Sequence, residues 1–201
     1  MPPETPRARP PPRAGAPLTV FTDPDGTLLD HHTYAWEPAR GTLERLRRGG
    51  HRVVPVTSKT LPEAAALGGE MGLDGPLVVE NGAAVCLPRG EAAPGDGEPR
   101  GPWVVRRLSP PYAEVRAALE GLRRESGWRF RGFGDLPPAA LAGLTGLSPG
   151  AAAAARERLG SEPLVWDDDP ERLAAFAARL GAAGLRLDRG GRFHHVLGRG
   201  A

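Results

Sequence analysis

The chain has 201 residues, 40% of them hydrophobic, with a formal net charge of +2 and one cysteine, Cys86. That length buries one sizeable core or a smaller core with an attached cap, and a lone cysteine excludes an internal disulfide framework. No apolar run approaches a membrane span or a secretory leader, which points to a soluble cytoplasmic protein, and the body beyond residue 17 is formally neutral, which gives no support for a nucleic-acid groove.

Residues 1–17, MPPETPRARPPPRAGAP, hold Arg7, Arg9 and Arg13 against Glu4 and so carry the whole formal excess of charge. Proline-rich and almost without packable apolar side chains, this stretch is expected to be a disordered or polyproline-like tail. The run LTVF is a short strand ended by the bend Asp23-Pro24-Asp25-Gly26. Leu43 and Leu46 then mark a helix after Glu37-Pro38, RVVPV at 52–56 is a second strand, and a helix opens at Pro62-Glu63. PLVV at 76–79 is a third strand. Three strands alternating with two helices predict a core α/β domain over 18–88 with a parallel, Rossmann-like sheet.

The stretch 89–102, rich in proline and glycine, is expected to be a hinge out of that sheet. Beyond it, 103–198 is expected to form an inserted α+β cap domain. Its strands fall near 103–106, 128–131, 163–166, 185–188 and 192–197, and its helices near 112–125, 138–144, 149–159 and 170–183. No fixed-period repeat is present.

The ends of the three core strands carry the polar residues, which is where open α/β sheets bind ligands. Asp23 and Asp25 suit an Asp-rich turn as a surface loop would, but they project from a strand end. An EF-hand starting at Asp23 fails, because Leu28 stands where glycine is needed and Tyr34 where glutamate is needed. Two carboxylates at i and i+2 suit phosphoryl transfer: one attacks phosphorus, and the other protonates the leaving oxygen and later activates water. A phosphate facing two acids also needs a hard cation, hydroxyl donors and a basic group. Thr57, Ser58 and Lys59, the only lysine, supply the last two from the second strand end.

The segments TDPDGTLLDHHTYAWEPA, VPVTSKT, VVENGAAV, RGFGDL, GLTGLS, SEP and GGRFHH together resemble the mannosyl-3-phosphoglycerate phosphatases, a capped branch of the haloacid dehalogenase-like superfamily. The resemblance spans roughly residues 18–198. It implies magnesium-dependent hydrolysis of a small-molecule sugar phosphate, mannosyl-3-phosphoglycerate, to mannosylglycerate and phosphate; charge and hydropathy add the expectation of no nucleic-acid or membrane partner. Asp23 becomes the nucleophile, Asp25 the acid/base and Thr57 the phosphate-binding hydroxyl. The metal falls to Asp23 and the backbone carbonyl of Asp25. Glu80 and Asn81 at the third strand end and Arg156, Ser161, Glu162, Arg192 and His194 in the cap are the candidate substrate ligands.

Several alternatives stand beside these assignments. On an extended strand Arg192 and His194 share a face while His195 points away, and an ordinary strand arginine and a structural histidine fit that spacing equally well. Arg156 is equally a solvated helix residue. Asp169 before Pro170-Glu171 is a helix N-cap rather than part of an acidic metal site. The sequence ends at HVLGRGA, before the core strands, lysine motif and late acidic motif that the resemblance would add. The expected haloacid dehalogenase-type core is therefore incomplete, and the 201-residue chain is expected to be a weak phosphatase or a ligand-binding homologue without turnover. A related sugar-phosphate phosphatase or a phosphomutase would carry the same acid pair.

Overall fold

The structure is a computed structural model that describes residues 15–201. Of the expected tail, residues 1–14 lie outside that range. The chain opens with β1 (Thr19–Thr22) and α1 (Glu37–Arg48), followed by β2 (Arg52–Pro55), α2 (Leu61–Glu70) and β3 (Leu77–Val79). β1 and β2 pair in parallel, with Thr19 opposite Arg52 and Thr22 opposite Pro55. β3 joins them through a parallel bridge between Val56 and Val78 and the hydrogen bond from Thr57 N to Val78 O at 2.9 Å. The expected βαβαβ half-sheet is present.

Local chemistry explains the helix starts. Pro38 and Pro62 sit in the first turns of α1 and α2, where a missing N–H costs nothing. Glu63 Oε2 accepts from both the N–H and the hydroxyl of Thr60, at 2.9 and 2.8 Å, and so fixes the exit of the second strand end into α2. Leu43 of α1 and Val53 of β2 pack with Met71, while Leu61 and Ala64 of α2 pack on Leu77 and Val79.

The structure departs from the expected organisation after β3. The segment Ala84–Pro88, inside the expected core domain but beyond its third expected strand, is a strand of its own, β4. The stretch 89–102 does not leave the sheet but contains β5 (Glu98–Arg100), and β6 (Trp103–Arg107) belongs here rather than to the cap. The four strands form an antiparallel sheet in the order β3-β4-β6-β5. The physical reason is that 89–102 is a long hairpin connection whose ends are held by strand pairing, Pro88 opposite Trp103. Cys86 is buried in this sheet, and burial lifts its thiol to about 12, out of nucleophilic chemistry.

The polypeptide changes sheet at residues 108–111. The second unit comprises α3 (Tyr112–Ser126), β7 (Phe130–Gly132), α4 (Pro138–Thr145), α5 (Pro149–Ala154), β8 (Ser161–Trp166), α6 (Leu173–Ala182), β9 (Leu185–Gly190) and β10 (Phe193–Gly198). Its antiparallel sheet runs β7-β8-β10-β9. One face carries α3 and α6, through Val115, Leu119, Phe176 and Leu180 against Leu164 and Val196. On the other side Phe193 packs edge-to-face on Phe133, with Leu141 and Ala152 of the small helices beside them. Asp169 accepts from Glu171 N at 2.9 Å, the expected cap, and α5 stops at Ala154, short of the expected 159. No helix among the described residues is long and apolar enough to cross a membrane.

Candidate active site

The three strand ends open into one cleft of about 800 Å³, closed on its far side by the cap. Asp23 and Asp25 form its floor with Thr57, Ser58 and Lys59; Asn81 flanks them, and Arg158, Arg192, Phe193 and His195 come from the cap. The bend after β1 is tightly wired. Asp25 N donates to Asp23 Oδ1 at 3.1 Å, and Pro24 O accepts from the N–H groups of Thr27, Leu28 and Leu29 at 3.2, 3.0 and 2.9 Å. Gly26 sits at φ +73°, a conformation that a side chain resists. Pro24 thus removes a donor and anchors the turn through its carbonyl.

At the second strand end, Thr57 is buried and its hydroxyl accepts from Lys59 N at 3.2 Å. Lys59 Nζ lies 2.6 Å from both oxygens of Asp25. The lysine expected on a phosphate is therefore held on the acid/base candidate. This is a charge-assisted pair at the cleft floor, with side chains 23% and 38% exposed.

Residues 20–92, which contain all three strand ends, match the family model described as haloacid dehalogenase-like hydrolase. The fold is also shared with solved structures. A protein from Thermoplasma acidophilum aligns with TM-score 0.60 at 18% identity, over 92% of this chain and 65% of its own. BT1666 from Bacteroides thetaiotaomicron, described among phosphatases of the superfamily, aligns with TM-score 0.60 at 18% identity over 96% and 71%. This chain has a haloacid dehalogenase-like fold. The subclass IIB sugar phosphatase BT4131 aligns with TM-score 0.57 at 16% identity, over 92% of this chain and 71% of its own. The chain thus spans about two thirds of the length of these structures.

Within this haloacid dehalogenase-like frame the structure brings together Asp23, Asp25, Thr57, Ser58, Lys59, Asn81 and Arg192, and it separates the other candidates from the cleft. Glu80 is fully buried. Its carboxylate accepts from Leu159 N at 2.5 Å, Gly160 N at 3.2 Å, and Ser161 N and Oγ at 2.9 and 2.8 Å. Glu80 therefore ties the third strand end to the cap, and Ser161 is its partner rather than a substrate ligand. Glu162 sits with Leu164 on the helix side of β8, fully buried, where it accepts from Tyr112 Oη at 2.7 Å, Arg116 Nη1 at 3.0 Å and Gly134 N at 2.9 Å. Burial pushes its carboxyl pKa up against those donors. Arg156 is not among the residues lining the cleft; Arg158, two positions later, is.

The histidine assignment also changes. Arg192 lies in the β9–β10 turn, outside the strand, so strand alternation does not govern it, and the alternating faces of β10 start at Phe193. Phe193 and His195 face the cleft, whereas His194 shares the helix side with Val196. Burial and the Arg158 charge push His195 down to about 4, and its Nδ1 has no hydrogen-bond partner. The folded ring holds its proton more weakly than the unfolded one at 6.5, so stability falls as pH drops from about 6.5 through about 4. Urea unfolding of His195→Gln against the parent, at about pH 7 and about pH 4.5, should show a flatter pH dependence in the variant. Parallel slopes would reject this assignment.

No group of three or more histidine, cysteine, aspartate or glutamate side chains able to hold one metal ion occurs among the described residues. Magnesium commonly takes one or two carboxylates and completes its shell with phosphate oxygens and water. The Asp23 carboxylate and the Asp25 backbone carbonyl fit that hard, oxygen-only demand, while the Asp25 side chain is committed to Lys59.

Proposed function

We propose that this chain acts on phosphate monoesters as a magnesium-dependent phosphatase, with mannosyl-3-phosphoglycerate as the substrate. The observation that carries the reaction class is the meeting of Asp23 and Asp25 with Thr57, Ser58 and Lys59 in one cap-covered cleft. The substrate rests on the resemblance of the sequence segments, and the sugar-phosphatase description of BT4131 is consistent with it.

In this reading an Asp23 carboxylate oxygen attacks phosphorus and the ester P–O bond breaks. Asp25 gives its proton to the leaving oxygen, then takes one from the water that attacks the aspartyl phosphate, so that inorganic phosphate leaves and both acids return to their starting states. Magnesium, when bound, supplies charge neutralisation between the Asp23 carboxylate and the phosphate. Thr57 and Ser58 donate to phosphoryl oxygens. Lys59 exchanges Asp25 for phosphate as the substrate enters, and Asp25, a carboxylate while it is paired with Lys59, takes up a proton from solvent at that point and so enters the reaction as the acid.

The test is magnesium-dependent phosphate release from mannosyl-3-phosphoglycerate, compared with its glucosyl analogue and a small aryl phosphate. Preference for the mannosyl compound is the expected result; equal rates on all three would reject the substrate. Arg192→Ala should raise KM for the phosphoglycerate-linked sugar by roughly tenfold or more, the scale of a lost charged hydrogen bond, and leave the aryl phosphate nearly unchanged, because only the former has a carboxylate. Equal losses would assign Arg192 to packing on Phe193, over whose ring its guanidinium lies at 5.4 Å.

A second reading, phosphate-ester binding without turnover, draws on Lys59 engaging both oxygens of Asp25. Saturable binding of the ester with no phosphate release would select it.

A further inference from the structure

Three successive carbonyls follow β2, and each is occupied. Thr57 O accepts from Asn81 N and Lys59 O from Glu80 N, both at 3.0 Å. Between them, Ser58 O accepts from Arg158 Nη2 at 3.0 Å. Two of these donors are main-chain groups of the adjoining strand end, while the third is a side chain delivered by the cap. In a trans peptide each C=O opposes the next N–H, so holding the Ser58 carbonyl on Arg158 turns the Lys59 N–H the other way, where it meets the Thr57 hydroxyl at 3.2 Å.

Arg158 is built for this placement. Its side chain is 2% exposed; Nε and Nη2 donate to Ser161 Oγ at 3.2 and 3.1 Å, and Nη1 donates to Ala155 O at 3.2 Å. Nε lies 3.5 Å from Glu80 Oε2, so the core supplies the counter-charge for a cap guanidinium. Leu159, the next residue, is buried among α2, β3, β4 and β6, and Thr60 Oγ1, whose single proton is shared with Glu63 Oε2, lies 3.0 Å from Ala154 O. The turn after α5 is therefore fastened to the loop after β2 on both sides of Arg158. A buried arginine is tolerated only where its charge and its donors are met, and its planar fork then fixes direction as well as distance.

We propose that Arg158 is a positioning residue for phosphate binding: the cap sets the Ser58 carbonyl, and with it the shape of the 57–60 loop, through a guanidinium balanced by Glu80. The proposal rests on the reading of Thr57 and Ser58 as phosphate ligands. It differs from the role given to Arg192, because a loop-shaping residue affects every phosphate monoester alike, and inorganic phosphate too.

The experiment measures inorganic phosphate binding by calorimetry, and amide hydrogen exchange without phosphate. It uses the full chain, Arg158→Lys, Arg158→Met, and Arg158→Met combined with Glu80→Gln. The combined variant leaves no unpaired buried charge and guards against simple misfolding. In it, phosphate Kd should rise at least about tenfold, and exchange at residues 57–60 should quicken without a matching change in α3 and α6. Arg158→Lys should recover only part of the affinity, since one ammonium cannot hold Ser58 O and Ser161 Oγ in the same fork. A folded combined variant with parental Kd and parental exchange at 57–60 overturns the proposal, as does quickened exchange spread evenly over the cap. If the parent chain itself binds no phosphate, the phosphatase reading fails, and the exchange pattern alone decides for or against Arg158 as the residue that shapes the loop.

Discussion

Asp23→Asn should abolish magnesium-dependent phosphate release, and Asp25→Asn should slow it by about 10²- to 10⁴-fold, the usual worth of a positioned proton donor. The two acids are not equivalent in the structure. Asp23 Oδ1 is oriented by Asp25 N at 3.1 Å, at the very end of β1, whereas both Asp25 oxygens rest on Lys59. Asparagine preserves size at both positions but has no nucleophilic oxygen to form an acyl phosphate at the first and no proton to exchange at the second. Single-turnover assays with acid quench and mass measurement of the protein separate the roles. Asp25→Asn should accumulate a phosphorylated chain when given a substrate with a good leaving group, and Asp23→Asn should show none. Near-normal release by Asp23→Asn would end the covalent mechanism.

Glu80→Ala should destabilise the protein by about 3 to 5 kcal/mol, a fall in Tm of roughly 10 °C for a chain of this size. The carboxylate accepts three main-chain N–H groups and one hydroxyl from residues 159–161 and faces the Arg158 guanidinium. Its removal strands all of them in the interior. Glu80 also stands at φ +55°, and Asn81 after it at φ +57°, a left-handed pair that costs a glutamate of the order of 1 to 2 kcal/mol. Glu80→Gly should therefore be less damaging than Glu80→Ala by about 1 kcal/mol, because glycine releases the backbone strain while losing the same carboxylate. Thermal unfolding of the three proteins tests both statements. A loss of less than about 1 kcal/mol in Glu80→Ala would mean that water replaces the carboxylate and that the tie to the cap is weak.

The sequence by itself determined the local elements of the core and the chemistry at its first two strand ends. Short apolar runs of β-branched residues stop at polar clusters, and proline and a capping box mark where the helices begin, so βαβαβ and the convergence of Asp23, Asp25 and Thr57 follow from periodicity and the handedness of crossovers. The assignment of Asp169 to a helix cap likewise rested on near neighbours, Pro170 and Glu171, and the hydrogen bond to Glu171 N agrees.

Only the tertiary structure decided matters that depend on distant pairing. β5 has the sequence EPR, with no apolar alternation, and exists because β6 offers it partners, so 89–102 resembles a linker until β6 is in place. Glu80, Ser161 and Glu162 are polar residues of a kind that binds sugars; that Glu80 and Ser161 face each other depends on pairing across 81 residues of chain, and that Glu162 faces Tyr112 and Arg116 depends on α3, 50 and 46 residues away. Arg156 and Arg158 are indistinguishable as letters two apart, and the end of α5 at Ala154 selects the second. Arg192 reaches the cleft from the turn before β10, so its place says nothing of the strand's faces; Phe193 faces the cleft, and alternation then puts His195 rather than His194 beside it.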